Sequence, residues 1–146
     1  MDFRTTAYRS ALRTLAIDNR QCLAGGKMQS AGILFAAGMA ERLLETRFAP
    51  ARDTLVRAAD SVAPEPRNAS DALAICVVRT APADVAGLFE SDVAGEQEMA
   101  MAKALTPTVN RCAGSGLSPV MSTSGLRAIL ATAALRVVAA GAEQAG

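Results

Sequence analysis

Two cysteines in this chain are followed closely by glycines, in segments that resemble each other. The segments read NRQCLAGG over residues 19–26 and NRCAGSG over residues 110–116. A thiolate is a nucleophile and a metal ligand, so each segment could be a catalytic thiol, a metal site, a disulfide position or one copy of a plain repeat. The chemistry open to these thiols depends on the residues around them.

The 146-residue chain contains no histidine. Histidine is the commonest general base, a frequent zinc ligand and the usual partner of a catalytic cysteine. The three cysteines form no C-x-x-C pair. Cys22 also follows a predicted helix, and the negative end of the helix dipole disfavours a thiolate there. We therefore predict a non-enzymatic protein with no catalytic residue, no cofactor and no metal site.

Two other patterns imitate functional sites. The glycine-rich stretch 114–116 lacks the Gly-Lys-Ser/Thr of a phosphate-binding loop and follows a helix, so we interpret it as a helix stop. An acidic run comprises Glu90, Asp92, Glu96 and Glu98. Because the run is polar on all sides, we interpret it as a solvated helix start rather than an acid–base pair.

Composition indicates one globular domain over residues 1–146. Hydrophobic residues make up 51%, aromatic residues 3%, and the net charge is +1. Nucleic-acid binding needs many cationic contacts to phosphates, so we predict no nucleic-acid partner. The apolar run 31–40 is too short to cross a bilayer and lacks the basic residues of an interfacial helix. We therefore predict no integral membrane segment.

The spacing of apolar residues is helical almost throughout, and no long stretch alternates with period two. The sequence therefore predicts an all-α helical bundle with the second helix at its centre. We expect Asn68 or Ser70 to cap the fourth helix and Ser122 or Thr123 to cap the last one. Pro82 should stand in the first turn of the fifth helix. The predicted helices cover about residues 5–18, 29–47, 50–61, 69–80, 82–90, 93–110 and 122–140.

The two cysteine segments belong to a longer similarity. With Cys22 placed over Cys112, Gly26 falls on Gly116. The order helix, cysteine, glycine loop, alanine-rich helix then occurs twice, which indicates a duplication unless it is a chance likeness among alanine-rich helices. The predicted parts are a first unit over about 5–47, a connecting helix over about 50–61 and a second unit over about 69–140.

The second unit has an additional helix, which carries Cys76. Its equivalent in the first unit would lie before Met1, so we expect the first unit to be truncated at its amino terminus. A leader peptide would be missing with it. We therefore predict a periplasmic or secreted protein if an upstream leader is missing, and a cytoplasmic one otherwise.

The second unit also resembles a family of uncharacterised small bacterial proteins, largely from alphaproteobacteria. Family members typically carry a leader and repeat a Cys-Val-Val-Arg/Lys … Cys unit. The resemblance covers mainly residues 70–138 and more weakly 5–45, and implies an exported helical protein; this chain departs from it in having no leader and three cysteines. The shared pattern is Cys76-Val77-Val78-Arg79, Pro82, Leu105-Thr106-Pro107, Cys112, a glycine-rich loop and Leu126-Arg127.

Cys76 and Cys112 have two alternative states. A disulfide would close a loop of about 37 residues and stabilise by roughly 4 kcal/mol in the chain-entropy model. Free thiols would act as small buried hydrophobes, the usual state in a reducing cytosol. The repeat and the resemblance imply export and favour the disulfide. Cys22 is then an unpaired thiol or one that pairs between chains.

These observations predict a structural or protein-interaction module whose partner is an unidentified protein or a second copy in a homodimer. The alternative is a small helical bundle that binds an apolar ligand or lipid. A connected apolar cavity of about 300 Å³ or more would favour ligand binding. A tightly packed core with one exposed apolar patch would favour the interaction module.

Overall fold

The computed structural model describes residues 5–18, 32–114 and 119–144, and all regular secondary structure in these ranges is helical. The predicted all-α fold is therefore confirmed for the described residues, and each helix begins within three residues of its predicted start. The helices are α1 Thr6–Asp18, α2 Gly32–Arg47, α3 Ala51–Ala59, α4 Ala69–Thr80, α5 Pro82–Glu90, α6 Glu96–Ala113 and α7 Thr123–Gln144.

Single residues explain why three of these helices begin where they do. The Asn68 side chain accepts a hydrogen bond from the Asp71 N–H at 3.0 Å and so caps α4. Ser122 Oγ accepts one from the Gly125 N–H at 3.1 Å at the start of α7. Pro82 opens α5, where its missing N–H costs no hydrogen bond. The structure thus selects Asn68 and Ser122 from the capping pairs that the sequence allowed.

The central helix of the bundle is α7. It packs against α2, α3, α4, α5 and α6, and its buried residues lie on several sides of the helix: Leu126, Arg127, Ala128, Leu130, Ala131, Ala133, Ala134, Val137 and Val138. Our prediction that the second helix is central was wrong. Buried residues of α2 are only Ala37, Ala40 and Leu44. The helix α7 covers one side of the apolar first half of α2, and the second half of α2 carries charged side chains.

The contact between α2 and α7 is more extensive than that of any other helix pair. Its centre is made of alanines: Ala37 and Ala40 on α2, and Ala128 and Ala131 on α7. Side chains this small allow two helices to approach closely. These are also the equivalent helices of the two units in the predicted duplication, which itself stays a prediction.

A larger hydrophobic cluster is built by α2 to α7, and α1 contributes nothing to it. The largest fully buried side chains of the fold include Leu55, Leu88, Leu105 and Leu130. In α1 only Tyr8 is buried; its hydroxyl donates to the Gly32 carbonyl at 3.2 Å, and burial raises its pKa. In the described part, α1 is therefore attached to the bundle rather than built into it.

One described helix, α7, is long and apolar enough to cross a membrane, with a mean hydropathy of 1.5 over its most apolar 18-residue window. The helices α4 and α5 are long and apolar enough to cross a membrane only if they are counted as one segment, and a bend of 100° separates them. The core helix of a soluble protein has the same composition, and α7 is surrounded by five helices. The absence of an integral membrane segment therefore stays a prediction.

The close alanine contact predicts that Ala131→Leu will destabilise the fold. Ala131 is fully buried, so a larger side chain must separate α2 from α7, at a cost of about 1–3 kcal/mol in the free energy of unfolding. The matched control is Ala104→Leu, which adds the same atoms on the exposed side of α6. Urea unfolding measures both variants, and equal stabilities would contradict the close contact.

Candidate functional site

A disulfide joins Cys76 on α4 to Cys112 in the last turn of α6, with their Cα atoms 5.8 Å apart. This is the pairing that the sequence favoured, and its two cysteines lie 36 residues apart in the chain. Both cysteines are half-buried, and the Thr80 hydroxyl oxygen lies 4.0 Å from each sulfur. A disulfide sulfur is not a thiolate, so this pair offers no nucleophile.

Only part of the two cysteine segments lies in the described structure. Residues 19–26, with Cys22, fall outside the described ranges, so the prediction for Cys22 stays a prediction. In the second segment, Gly114 ends α6 with φ of 87°, a left-handed conformation that glycine adopts without strain. The interpretation of this glycine as a helix stop is therefore confirmed.

The most concentrated polar site is built on a buried arginine, Arg127, which the sequence analysis named only as part of the shared pattern and gave no role. The Arg127 guanidinium makes five hydrogen bonds, which matches the five N–H donors of an arginine. Two bonds go to the Glu41 carboxylate, at 2.9 and 2.7 Å. One goes to Glu98 Oε1 at 3.2 Å, and two go to the carbonyls of Ser91 and Phe89 at 3.0 Å each.

These contacts bring four parts of the chain together. Arg127 lies in the first turns of α7, Glu41 in α2, Glu98 in the first turn of α6, and the two carbonyls at the end of α5. The exposed fractions of the side chains are 7% for Arg127, 15% for Glu41 and 4% for Glu98. The hydrogen bonds that Arg127 donates to the Glu41 carboxylate raise the pKa of Arg127 above its ordinary value, so the guanidinium stays protonated.

Glu98 also fixes the turn that leads into α6. Its Oε2 accepts a hydrogen bond from the Ala94 N–H at 2.8 Å, and Ala94 has φ of 62°, an uncommon value for a residue with a side chain. Our interpretation of Glu98 as part of a solvated helix start was therefore wrong. Glu98 is 3% exposed, because Arg127 neutralises it and two hydrogen-bond donors satisfy it.

The rest of the acidic run is at the surface. Asp92 and Glu96 are exposed. Glu90 pairs with Arg52, whose Nη2 lies 2.6 Å from the Glu90 carboxylate, and this hydrogen bond holds the Glu90 pKa below its ordinary value. Both side chains remain about half exposed. Of the four carboxylates, Glu90 and Glu98 thus pair with two different arginines, and Asp92 and Glu96 lie exposed.

The described surface includes two depressions. The larger is an open cleft of about 240 Å³ between α6 and the start of α7, lined by apolar residues such as Met99, Val109 and Met121 and by polar ones such as Lys103 and Asn110. The smaller, of about 80 Å³, lies between α2, α3 and α5 beside Phe89. With a volume of about 240 Å³ and polar residues in its wall, the cleft beside α6 is smaller and more polar than the apolar cavity of about 300 Å³ or more expected of a ligand carrier.

The outward side of α2 is the other feature that stands apart. Leu34 is 41% exposed and Met39 is 52% exposed, while Phe35 is half-buried and Gly38 exposed. We call these four residues the α2 patch. An amphipathic helix of a bundle normally turns polar residues outward, but the first half of α2 is apolar all round, and α7 covers only one side of it.

No group of three or more metal-binding side chains occurs in the described ranges. The buried side-chain nitrogen and oxygen atoms described there all have hydrogen-bond partners. The buried polar groups of the described part are therefore engaged within the fold.

Comparison with known proteins finds no matching family model, no similar curated protein and no similar solved structure. The resemblance carried by the Cys76 and Cys112 motifs therefore stays an expectation.

The buried network predicts a large effect of Arg127→Met. The substitution leaves Glu41 and Glu98 buried without their cation, so we expect a loss of about 3–5 kcal/mol in the free energy of unfolding. The control Arg52→Met removes the exposed pair with Glu90 and should cost less than about 1 kcal/mol. Chemical denaturation measures both; similar small losses would show that the fold does not depend on Arg127.

The disulfide predicts a measurable stability difference between oxidised and cysteine-free protein. In a Cys22→Ser background, the further changes Cys76→Ser and Cys112→Ser should lower the free energy of unfolding by about 2–4 kcal/mol, because the unfolded chain gains freedom. Cys22→Ser alone is the control. Alkylation of both Cys76 and Cys112 in unreduced native protein, detected by mass spectrometry, would contradict the bond.

Proposed function

We propose that this protein is an exported, non-enzymatic interaction module that presents the α2 patch to a protein partner. The observation that carries the proposal is the exposure of Leu34 and Met39, at 41% and 52%, on a helix whose first half is apolar all round. Contiguous exposed apolar surface on an otherwise well-packed domain is typical of binding sites.

The state of the polar groups supports a role without catalysis. Arg127 directs every N–H of its guanidinium to protein acceptors, and the Glu41 carboxylate accepts from Arg127 with both oxygens. A catalytic acid, base or oxyanion donor must keep a position open toward the substrate. The most concentrated polar cluster of the described part is therefore suited to holding helices in place.

The disulfide supports the exported location. Disulfides persist in oxidising compartments and are rare in the cytosol. The bond between Cys76 and Cys112 anchors the far end of α6 to α4, so it favours a bundle that keeps its shape outside the cell. A binding surface held on such a frame loses little conformational freedom when a partner docks.

Binding of an apolar ligand or lipid is the weaker candidate. Enclosed ligand pockets usually measure about 300–1,000 Å³ and are largely apolar. The cleft beside α7 measures about 240 Å³, is open, and has Lys103, Asn110 and three hydroxyl-bearing residues in its wall.

A site-specific photo-crosslinker tests the proposal. With a photoreactive amino acid in place of Met39, illumination of cells that make the protein natively should yield a defined adduct to a polypeptide. The control position is Val120, which is fully exposed and outside the α2 patch. No protein adduct from position 39, or the same adducts from both positions, would contradict an interaction role for the patch.

A further inference from the structure

Lys103 is a cation without a carboxylate partner in the described structure. It is exposed and lines the cleft between α6 and the start of α7. Arg52, Arg127 and Arg136 each pair with a carboxylate, whereas Lys103 forms no ion pair with any described residue. Its ammonium group is therefore available to a ligand that brings a negative charge.

The cleft combines an apolar floor with a partly polar rim. Val109 of α6 and Leu126 of α7 are 5% and 7% exposed and form the floor. Residues spaced by three and four positions lie on one side of a helix, and this spacing places four lining residues along the rim of α6: Met99, Lys103, Thr106 and Asn110. An apolar group on the floor thus lies beside an ammonium group on the rim.

The described lining of the cleft contains neither Asp nor Glu to neutralise Lys103. Glu96, on the same side of α6, lies seven positions before Lys103, which is about 10 Å along the helix axis. At physiological ionic strength, exposed charges at that separation are largely screened from each other. Glu98 pairs with Arg127 instead. Lys103 therefore sets the sign of the charge beside the cleft.

We infer that this cleft binds a small organic carboxylate with an aromatic body. The carboxylate pairs with Lys103, and the ring lies on the floor formed by Val109 and Leu126. A single ammonium group balances a single carboxylate, and the described lining contains no arginine to hold a phosphate through two parallel hydrogen bonds. The site is separate from the α2 patch, so it adds to the proposed interaction role without depending on it.

Two methionines favour an aromatic body. Met99 is 56% exposed, Met121 is half-buried, and both line the cleft. Thioether sulfurs make favourable contacts with aromatic rings, and the unbranched methionine side chain adapts to the shape of a ligand. The volume of about 240 Å³ lies below the range of about 300–1,000 Å³ that is usual for ligand pockets. It therefore suits a single ring with a short chain.

The open position of the cleft predicts weak binding. Lys103 is exposed, and exposed ion pairs contribute little because water and salt screen them. For a ligand of this size we expect a dissociation constant of about 1 mM. The carboxylate should strengthen binding about threefold over a neutral analogue of the same shape, and this preference for the anion is the quantity to measure.

A titration followed by nuclear magnetic resonance tests the site. Phenylpropionate is the probe, and phenylpropanol, with the same ring and chain length, is its neutral analogue. In the isotope-labelled wild-type chain, phenylpropionate should shift the amide signals of Val109, Met121 and Leu126 saturably, and it should bind about threefold more tightly than phenylpropanol. Lys103→Met should remove this preference, because it deletes the charge and keeps an unbranched side chain.

The matched control is Arg111→Met. It removes an exposed cation from the last turn of the same helix, at a position outside the described lining of the cleft. This variant should keep the preference for phenylpropionate. Lys103 and Arg111 are both exposed, so both variants should fold like the wild type, and thermal unfolding checks this.

Four results would overturn the carboxylate site. They are the absence of saturable shifts at the cleft at about tenfold the expected dissociation constant, equal affinities of the wild type for phenylpropionate and phenylpropanol, a preference that survives Lys103→Met or is lost equally in Arg111→Met, and shifts that fall mainly on the α2 patch.

Discussion

The fold depends on one buried cation. Arg127 lies in the central helix, and its planar guanidinium meets a bidentate carboxylate from α2, a carboxylate from α6 and two carbonyls from the end of α5. Burying a charge costs several kcal/mol unless it is paired and fully hydrogen-bonded. Because Arg127 meets both conditions only when these segments converge, the network selects one arrangement of helices that alanine packing alone would leave less defined.

Local interactions could be predicted from the sequence, whereas the long-range contacts of Arg127 could not. Helix positions follow from apolar spacing and from local caps such as Asn68 and Pro82, which act within a few residues. The bonds of Arg127 to Glu98 and Glu41 span 29 and 86 residues, and nothing in the local pattern marks them. A charged residue in the otherwise apolar stretch that opens α7 was the one available signal, since an arginine there must be buried with a partner or break the apolar face.

The same reasoning explains the exchange of roles between α2 and α7. Both read as apolar helices, and the first half of α2 has the longer uninterrupted apolar run. However, α7 carries apolar residues of moderate size along its whole length, so it can be enclosed by five neighbours. The charges of α2 begin at Glu41, and three of its four charged residues are exposed, so only one side of the helix can face the core. A high content of apolar residues indicates that a helix is buried. The distribution of these residues around and along the helix decides how much of its surface is buried.

The disulfide and the buried network act at opposite ends of α6. Glu98 holds the first turn to α7, and Cys112 holds the last turn to α4. The middle of α6 is packed by Leu105 and Val109, so the helix is fixed along its length. Among the described residues, no comparable constraint reaches the outer side of α2, whose contacts through Ala37, Ala40 and the Glu41 carboxylate face α7. Within that part of the chain, α2 is thus held from the side of α7 while Leu34 and Met39 stay exposed, as the proposed binding surface requires.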